Sequence, residues 1–339
     1  MVKIKIALLC NGYGVTSRGA ERFTEEFYNH MKDIYDIDII SIKDTNTKFR
    51  DDFNIPWRNG RAYLESWSFG KSFYKNFKKN DYDLIFNNAG FPCSYWCNKI
   101  RKEHGVPFVT RARGGGKEEK ISKWFKPNHM IFLSEYHQKK IQKKNSSVIP
   151  NAIDVDKYDK CKGISKLVEG LERPIFLSTS ALVAFKRVDL IIDAVFRLER
   201  GSIIQTSDGD LRDEWVDNGH GLLGDNFRYV GKIPRDELVK LYKSCDVFVM
   251  ASKKEAFGVV YLEAMAAGLP VVTQYDKRRM EIIGDAGILV NCKNIGEFSD
   301  ALDIASENDW KNKPIEQAKQ YGWDAIKKRY VNLISEVIK

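Results

Sequence analysis

Short apolar runs recur along the chain, bounded by glycine, proline or polar residues, and between them lie stretches with apolar positions every three or four residues. A continuous apolar run of four to eight residues suits a strand buried on both faces, and the wider spacing makes one apolar helix face. In the first half the runs predict strands near 3–9, 37–42, 83–87, 106–110, 130–133 and 147–149, with helices over 20–32, about 62–79, 93–104 and 135–144. In the second half strands fit 174–179, 202–206, 227–230, 246–250, 270–273 and 287–290. Helices there fit 188–199, 210–217, 235–243, 259–267, 296–306 and 314–337. Strand and helix alternating in this way is the pattern of parallel α/β domains. The opening run from Val2 to Cys10 is too short and too rich in strand-forming residues for a signal peptide, so it reads as a buried first strand. No apolar run reaches the ~18 residues a membrane-spanning helix needs.

A length of 339 residues accommodates two domains of roughly 150 each. The reading places a first domain at 1–155 and a second at 172–321, joined through the polar stretch from Asp154 to Arg173. Two doubly wound domains in tandem bring the carboxyl ends of both sheets to a shared cleft, where open α/β sheets bind ligands. Topology alone leaves a dehydrogenase, an epimerase and a binding protein all open.

The most informative segment follows the strand Val247-Phe248-Val249-Met250. It runs Glu255-Ala256-Phe257-Gly258-Val259-Val260-Tyr261-Leu262-Glu263-Ala264-Met265-Ala266-Ala267-Gly268. A helix opens near Val259 and stops at Gly268, and Pro270 leads into the next strand. Gly258 leaves the backbone open where amides at a helix start can meet a ligand. Glu255 stands just before the helix and Glu263 on its second turn, so one carboxylate faces the strand ends and the other reaches in from the helix.

This run resembles the E-x7-E signature of the family 4 glycosyltransferases, retaining enzymes of the GT-B fold, whose two Rossmann-like doubly wound domains face a central cleft. The likeness continues in order along nearly the whole chain. Arg18-Gly19-Ala20-Glu21 is similar to the family's Gly-Gly-Ala-Glu at the first helix, and Val148-Ile149-Pro150-Asn151-Ala152-Ile153-Asp154 to its I-P-N-G-V-D. Ser180-Ala181-Leu182-Val183-Ala184-Phe185-Lys186-Arg187-Val188-Asp189 resembles the loop after the first strand of the second domain. Gly231-Lys232-Ile233-Pro234, with Leu241 to Asp246, resembles the approach to the glutamate loop. Residue by residue, the resemblance implies that Lys186 meets the donor's diphosphate, where a cation offsets the charge of the leaving group. It implies that Arg187 lies beside that lysine in the donor site and that Glu263 accepts from ribose hydroxyls. Glu255 would stand by the transferred sugar, with Phe257, Gly258 and Val259 offering amides. Gly12 and Gly14 would flank a turn beneath the diphosphate, and the last helix, about 322–339, would pack back on the first domain. The implied activity is retaining transfer of a hexose-type sugar from GDP-mannose or a UDP-sugar to a glycan or lipid-linked acceptor, with no metal and no further cofactor.

Three departures from the pattern change the picture locally. Ala181 stands where many members carry arginine, as in a subset resembling O-antigen mannosyltransferases. Arg111-Ala112-Arg113-Gly114-Gly115-Gly116 replaces the segment with the usual histidine, and Arg111 as a catalytic cation, or Arg113 at the donor, would supply charge lost elsewhere. Ser207-Asp208-Gly209-Asp210 only partly matches the family's glycine-rich loop; it reads as a loop and not as a metal site.

Charge enters last. The chain carries a net charge of +9, and residues 1–150 hold 27 Lys+Arg against 16 Asp+Glu, so the remaining residues are slightly acidic. The segment from Trp57 to Lys79 interleaves aromatics with basic residues, the composition of interfacial helices. Two readings stand: a solvated surface over an ordinary core helix, or contact of the first domain with an anionic partner, a membrane's inner face or a phosphate-bearing acceptor. The six scattered cysteines suit reduced thiols and a cytoplasmic location. A nicotinamide enzyme would place a third glycine where Ser17 stands, and a nucleic-acid-binding protein would leave the glutamate loop unexplained. An inactive GT-B protein acting as an assembly partner remains the alternative function.

Overall fold

The computed structural model describes residues 3–16, 19–45, 47, 58–78, 81–112 and 117–339. The chain divides into two compact units, Met1–Ala152 with Trp323–Lys339, and Ile153–Gly322.

In the first unit the elements are β1 (Lys5–Leu9), α1 (Gly19–Met31), β2 (Asp36–Ile40), α2 (Ile42–Thr45), α3 (Arg58–Asn76), β3 (Leu84–Asn87) and α4 (Phe91–His104), followed by β4 (Phe108–Arg111), α5 (Lys117–Ser122), β5 (His129–Phe132), α6 (Glu135–Ile141) and β6 (Ser146–Val148). All strand pairs are parallel, in the order β2-β1-β3-β4-β5-β6. The direction of winding reverses between β1 and β3. β3 and β4 are buried at every residue, which is why they read as unbroken apolar runs. One face of the sheet is covered by α1, whose Phe23, Phe27 and Met31 recur at helical spacing and meet Phe86, Tyr330 and Leu333. The other face is covered by α3 and α4 through Phe69, Phe73, Cys93, Cys97 and Ile100. Fully burying each such side chain contributes about 1.5–3 kcal/mol.

The second unit holds α7 (Val155–Asp159), β7 (Ile175–Ser178), α8 (Val188–Leu198), β8 (Ser202–Thr206), α9 (Arg212–Leu223), β9 (Phe227–Gly231) and α10 (Arg235–Ser244), then β10 (Val247–Met250), α11 (Val259–Ala266), β11 (Val271–Gln274), α12 (Lys277–Ile283), β12 (Gly287–Val290), α13 (Ile295–Glu307) and α14 (Lys313–Lys319). Its parallel order is β12-β11-β10-β7-β8-β9, with the reversal between β7 and β10. Residues of α8, α9 and α13 share one core cluster on one face of the sheet, and on the other α11 contacts both α10 and α12. The last helix, α15 (Trp323–Ile338), belongs to the first unit, where Trp323, Ile326 and Tyr330 enter the α1 core.

All twelve expected strands form; the helices differ from the sequence reading in the short α2, α5, α7 and α12, which it did not contain, and in two longer elements. The single helix expected over 314–337 is two, because Ile153 bridges to Gly322 and its amide donates to the Tyr321 carbonyl at 2.9 Å, drawing the chain out of the helix there. Helix α9 runs past 217 to Leu223, through Gly219, where a Cβ would lie 2.6 Å from the Phe227 ring; the glycine is what lets the helix approach that strand.

Candidate active site

The reversal between β7 and β10 positions the second unit's site. The strands are direct neighbours, pairing Val247 with Phe176 and Phe248 with Leu177. Their following helices, α8 and α11, leave to opposite faces, so the loops beyond Ser178 and Met250 part and leave a crevice at the strand ends. The first loop ends in one helical turn, Ala184–Lys186, before Arg187 turns left-handed (φ 53°) into α8. The second runs to Gly258 (φ 86°), where α11 begins. The amide of Lys253 donates to the Phe185 carbonyl at 2.8 Å and ties the two loops together.

Lys186 and Glu255 meet there: the ammonium donates to Glu255 Oε1, with the two side chains 16% and 17% exposed. The ammonium also lies 5.6 Å from the centre of the exposed Phe185 ring. Glu263, on the second turn of α11, is 2% exposed. It accepts from the Tyr242 hydroxyl at 3.2 Å, which in turn lies 3.3 Å from Thr179 Oγ1, directly after β7. Phe257 is buried, its ring centre 6.1 Å from that of Tyr321, and Val259 is partly buried at the first position of α11. A Cβ at Gly258 would come within 2.4 Å of the Tyr261 ring, so both the positive φ and the space demand glycine.

Sequence reasoning missed the residues that hold the glutamate loop. Asp276 caps α12, accepting from the amides of Arg278 and Arg279 at 2.9 and 3.0 Å. From that first turn Arg278 donates to the carbonyls of Glu255 and Ala256. Arg279, 1% exposed, pairs with Asp276, donates to the Ser252 carbonyl at 2.7 Å and to the Tyr261 hydroxyl at 2.9 Å. Burial pushes Tyr261 up to about 12, so this phenol stays neutral at ordinary pH and accepts from the guanidinium. Arg187, expected at the donor, spends Nε on the Ala251 carbonyl at 2.7 Å and Nη2 on Gln274 at 2.8 Å, joining the ends of β10 and β11. The contacts that Arg187, Arg278 and Arg279 make with the loop and strand ends span 18 or more residues, and the only local hint was an Asp two and three positions before a pair of arginines at a helix start. The loop Ser207-Asp208-Gly209-Asp210 packs on the lysine loop: Leu182 donates to the Asp208 carbonyl at 3.2 Å, and a Cβ at Gly209 would strike the Leu182 carbonyl at 2.2 Å. Asp208 is engaged with the Gly209 amide and Arg212.

In the first unit the reversal point lies between β1 and β3. Gly12 and Gly14 sit in the turn after β1, as the sequence suggested. A Cβ at Gly12 would come 2.2 Å from Glu21 Oε1, and Gly14 has φ 74°. Arg111 differs from expectation. It is 3% exposed at the end of β4, with its guanidinium 3.6 Å above the Phe23 ring and bonded to Asn88 and Asn151. Both asparagines that the guanidinium bonds here, Asn88 and Asn151, are residues of its own unit. Arg113 lies outside the described residues.

Comparison with known proteins agrees with this geometry. A profile of the glycosyl transferases group 1 matches residues 160–322, and one of glycosyltransferase family 4 matches residues 17–157. Over 174 residues, 48% of this chain and 45% of the relative, the chain is 34% identical to an uncharacterized glycosyltransferase of Methanocaldococcus jannaschii. It is 28% identical over 151 residues to the O-antigen chain mannosyltransferase B of Escherichia coli, 43% of this chain and 37% of that protein. These matches thus span less than half the length of either curated relative. Sucrose-phosphate synthase of Thermosynechococcus elongatus superposes with a TM-score of 0.79 at 17% identity, covering 99% of both chains. Anabaena HepE, solved with UDP and glucose, gives 0.75 at 17%, covering 98% of this chain and 99% of its own. At such identity the structural likeness speaks for the fold, which is GT-B. The two profiles lie side by side and together run from residue 17 to 322, so the chain belongs to the group 1 glycosyltransferases of family 4.

Proposed function

We propose that this protein is a retaining glycosyltransferase that moves a hexose-type sugar from a nucleotide diphosphate donor to a hydroxyl of a glycan or lipid-linked acceptor. The observation that carries the reading is the Lys186–Glu255 pair at the β7–β10 reversal, with the buried carboxylate of Glu263 on the helix that follows. Without donor, the lysine and glutamate neutralise each other. A diphosphate competes for the ammonium, and as the bond from sugar C1 to the phosphate oxygen breaks, Lys186 offsets the charge gathering on that oxygen. Glu255, released from the pair and held through its own carbonyl by Arg278, is then left beside the sugar. Glu263, steadied by Tyr242, accepts from ribose hydroxyls.

In the retaining step, the acceptor oxygen bonds to C1 on the face the phosphate leaves, and its proton passes to a departing phosphate oxygen. Lys186 serves as the cation in this scheme, so no metal is required. For the donor, the mannosyltransferase relative favours GDP-mannose and the UDP-bound neighbour favours a UDP-sugar. The test is release of nucleoside diphosphate from each donor, with the anomeric configuration of the product read by NMR. Lys186→Ala should lower kcat/KM by roughly 10²–10³-fold, the scale of losing one preorganised electrostatic partner of the transition state. An unaffected variant, or an inverted product, would contradict the scheme.

A further inference from the structure

The first unit carries a strip of exposed aromatic and aliphatic side chains that the donor site does not use. Leu64 and Trp67 lie on the outer face of α3 and are 40% and 39% exposed, and Tyr95 on α4 is 40% exposed. Trp124, in the helical turn after α5, is 72% exposed. The Trp67 and Tyr95 rings stack at 5.0 Å, and Tyr95 meets Phe125, the neighbour of Trp124, edge-on at 5.9 Å. Exposed aromatics that pack together in this way need a partner with an apolar layer.

The charges around the strip say which partner. Lys71 and Lys75 continue the exposed face of α3 one and two turns beyond Trp67, and Lys102 does the same on α4 beyond Tyr95. Lys120 and Lys126 flank Trp124 and are also exposed. On the same stretch Glu103 is held by the Tyr74 hydroxyl and lies near the Lys99 ammonium, so its charge is offset. The strip therefore offers tryptophan and tyrosine, the side chains that settle at headgroup level, within a fringe of ammonium groups. The first 150 residues, with 27 basic and 16 acidic, extend the same sign over the unit. Among the described residues no helix is long and apolar enough to cross a membrane.

We propose that this strip docks the protein onto an anionic lipid bilayer, with Trp67, Tyr95 and Trp124 entering the headgroup layer and the lysines pairing with lipid phosphates. It extends the reading above by giving a setting in which a lipid-linked acceptor is met, and its test needs no donor or acceptor.

The experiment is co-sedimentation of the whole protein with phosphatidylcholine–phosphatidylglycerol vesicles, and with phosphatidylcholine alone, at low and high salt. Wild type should pellet with the anionic vesicles, and salt should weaken binding. The Trp67→Ser/Trp124→Ser variant should bind on the order of tenfold or more weakly. Lys71→Glu/Lys126→Glu should lose roughly fivefold or more for each lysine. Both variants replace exposed side chains, so an unchanged unfolding midpoint and an unchanged shift with the donor nucleotide would show that fold and donor site are intact. Wild type that stays in the supernatant with both lipids overturns the proposal, as does binding equal on neutral and anionic vesicles or retained by both variants. A dimer in sedimentation velocity that the same substitutions dissolve would assign the strip to a second copy of the chain and also overturn it.

Discussion

Glu255 and Glu263 are eight residues apart in sequence and live in different electrostatic surroundings. Glu255 meets a cation in a partly open crevice, whereas Glu263 is nearly sealed and held by a neutral phenol. The spacing alone made them two carboxylates; the strand before, the glycine between and the helix after made their separate placement legible. Arg111 shows the limit of that reading. Its neighbours in the motif suggested a free cation, but the residues that claim it, Phe23, Asn88 and Asn151, are distant in sequence and gave no local signal. Gly258 gives a sharp test at this scale. Gly258→Ala combines a left-handed backbone with a Cβ 2.4 Å from the Tyr261 ring. It should cost roughly 1–3 kcal/mol, seen as a drop of several degrees in the unfolding midpoint. A midpoint within one degree of wild type would show that the loop has room the geometry denies.

The twelve strands were legible because a strand buried on both faces leaves an unbroken apolar run. The short helices α2, α5, α7 and α12 were not, since four to seven residues hold too few turns to show a period. Of these α12 matters most: its two arginines hold the backbone of the glutamate loop, so the support of the site was hidden in the element that sequence reads worst. The edge of the first sheet carries a pH-dependent contact. His129 on β5 lies 3.1 Å from Ser147 Oγ on β6, and burial pulls its pKa below the ordinary 6.5, with Lys143 adding to that effect and Glu336 opposing it. The unfolded chain therefore binds this proton more readily. The neutral imidazole's contribution is present above about pH 6.5 and is lost as pH falls through the lower folded value. Subtracting the midpoints of His129→Gln from those of wild type across pH 5–8 should give a difference that shrinks on the acid side. A difference flat across that range would refute the assignment.

At the scale of the whole molecule, the two sheets wind differently, and each reverses where its glycine-bearing or glutamate-bearing loop emerges. The pattern of alternating runs predicted two parallel, doubly wound domains but neither strand order. The periodicity ran the last helix together with α14, whereas the resemblance began it near 322; in the structure the chain breaks where Gly322 bridges Ile153, some 170 residues earlier. That helix completes the first unit's core: the fully buried Tyr330 ring lies 5.1 Å from Phe27, 6.0 Å from Phe86 and 6.1 Å from Phe23. Tyr330→Ala should cost about 3–5 kcal/mol, lowering the unfolding midpoint on the order of ten degrees. A loss under ~1 kcal/mol would mean that the terminal helix does not close this core in solution.

The central claim, a nucleotide diphosphate site at the β7–β10 reversal, is tested most directly by thermal unfolding with UDP-, GDP-, ADP- and CMP-sugars on wild type and Glu263→Ala. A ligand at about 100 times its dissociation constant adds roughly 2.7 kcal/mol, enough to move the midpoint by several degrees. Loss of a charge-assisted ribose contact should remove about 1.5–3 kcal/mol of the affinity. The account predicts that one nucleotide class raises the wild-type midpoint and that the same concentration leaves Glu263→Ala nearly unmoved. If no nucleotide shifts wild type, or if the variant responds as wild type does, the site is not where the lysine and the two glutamates stand.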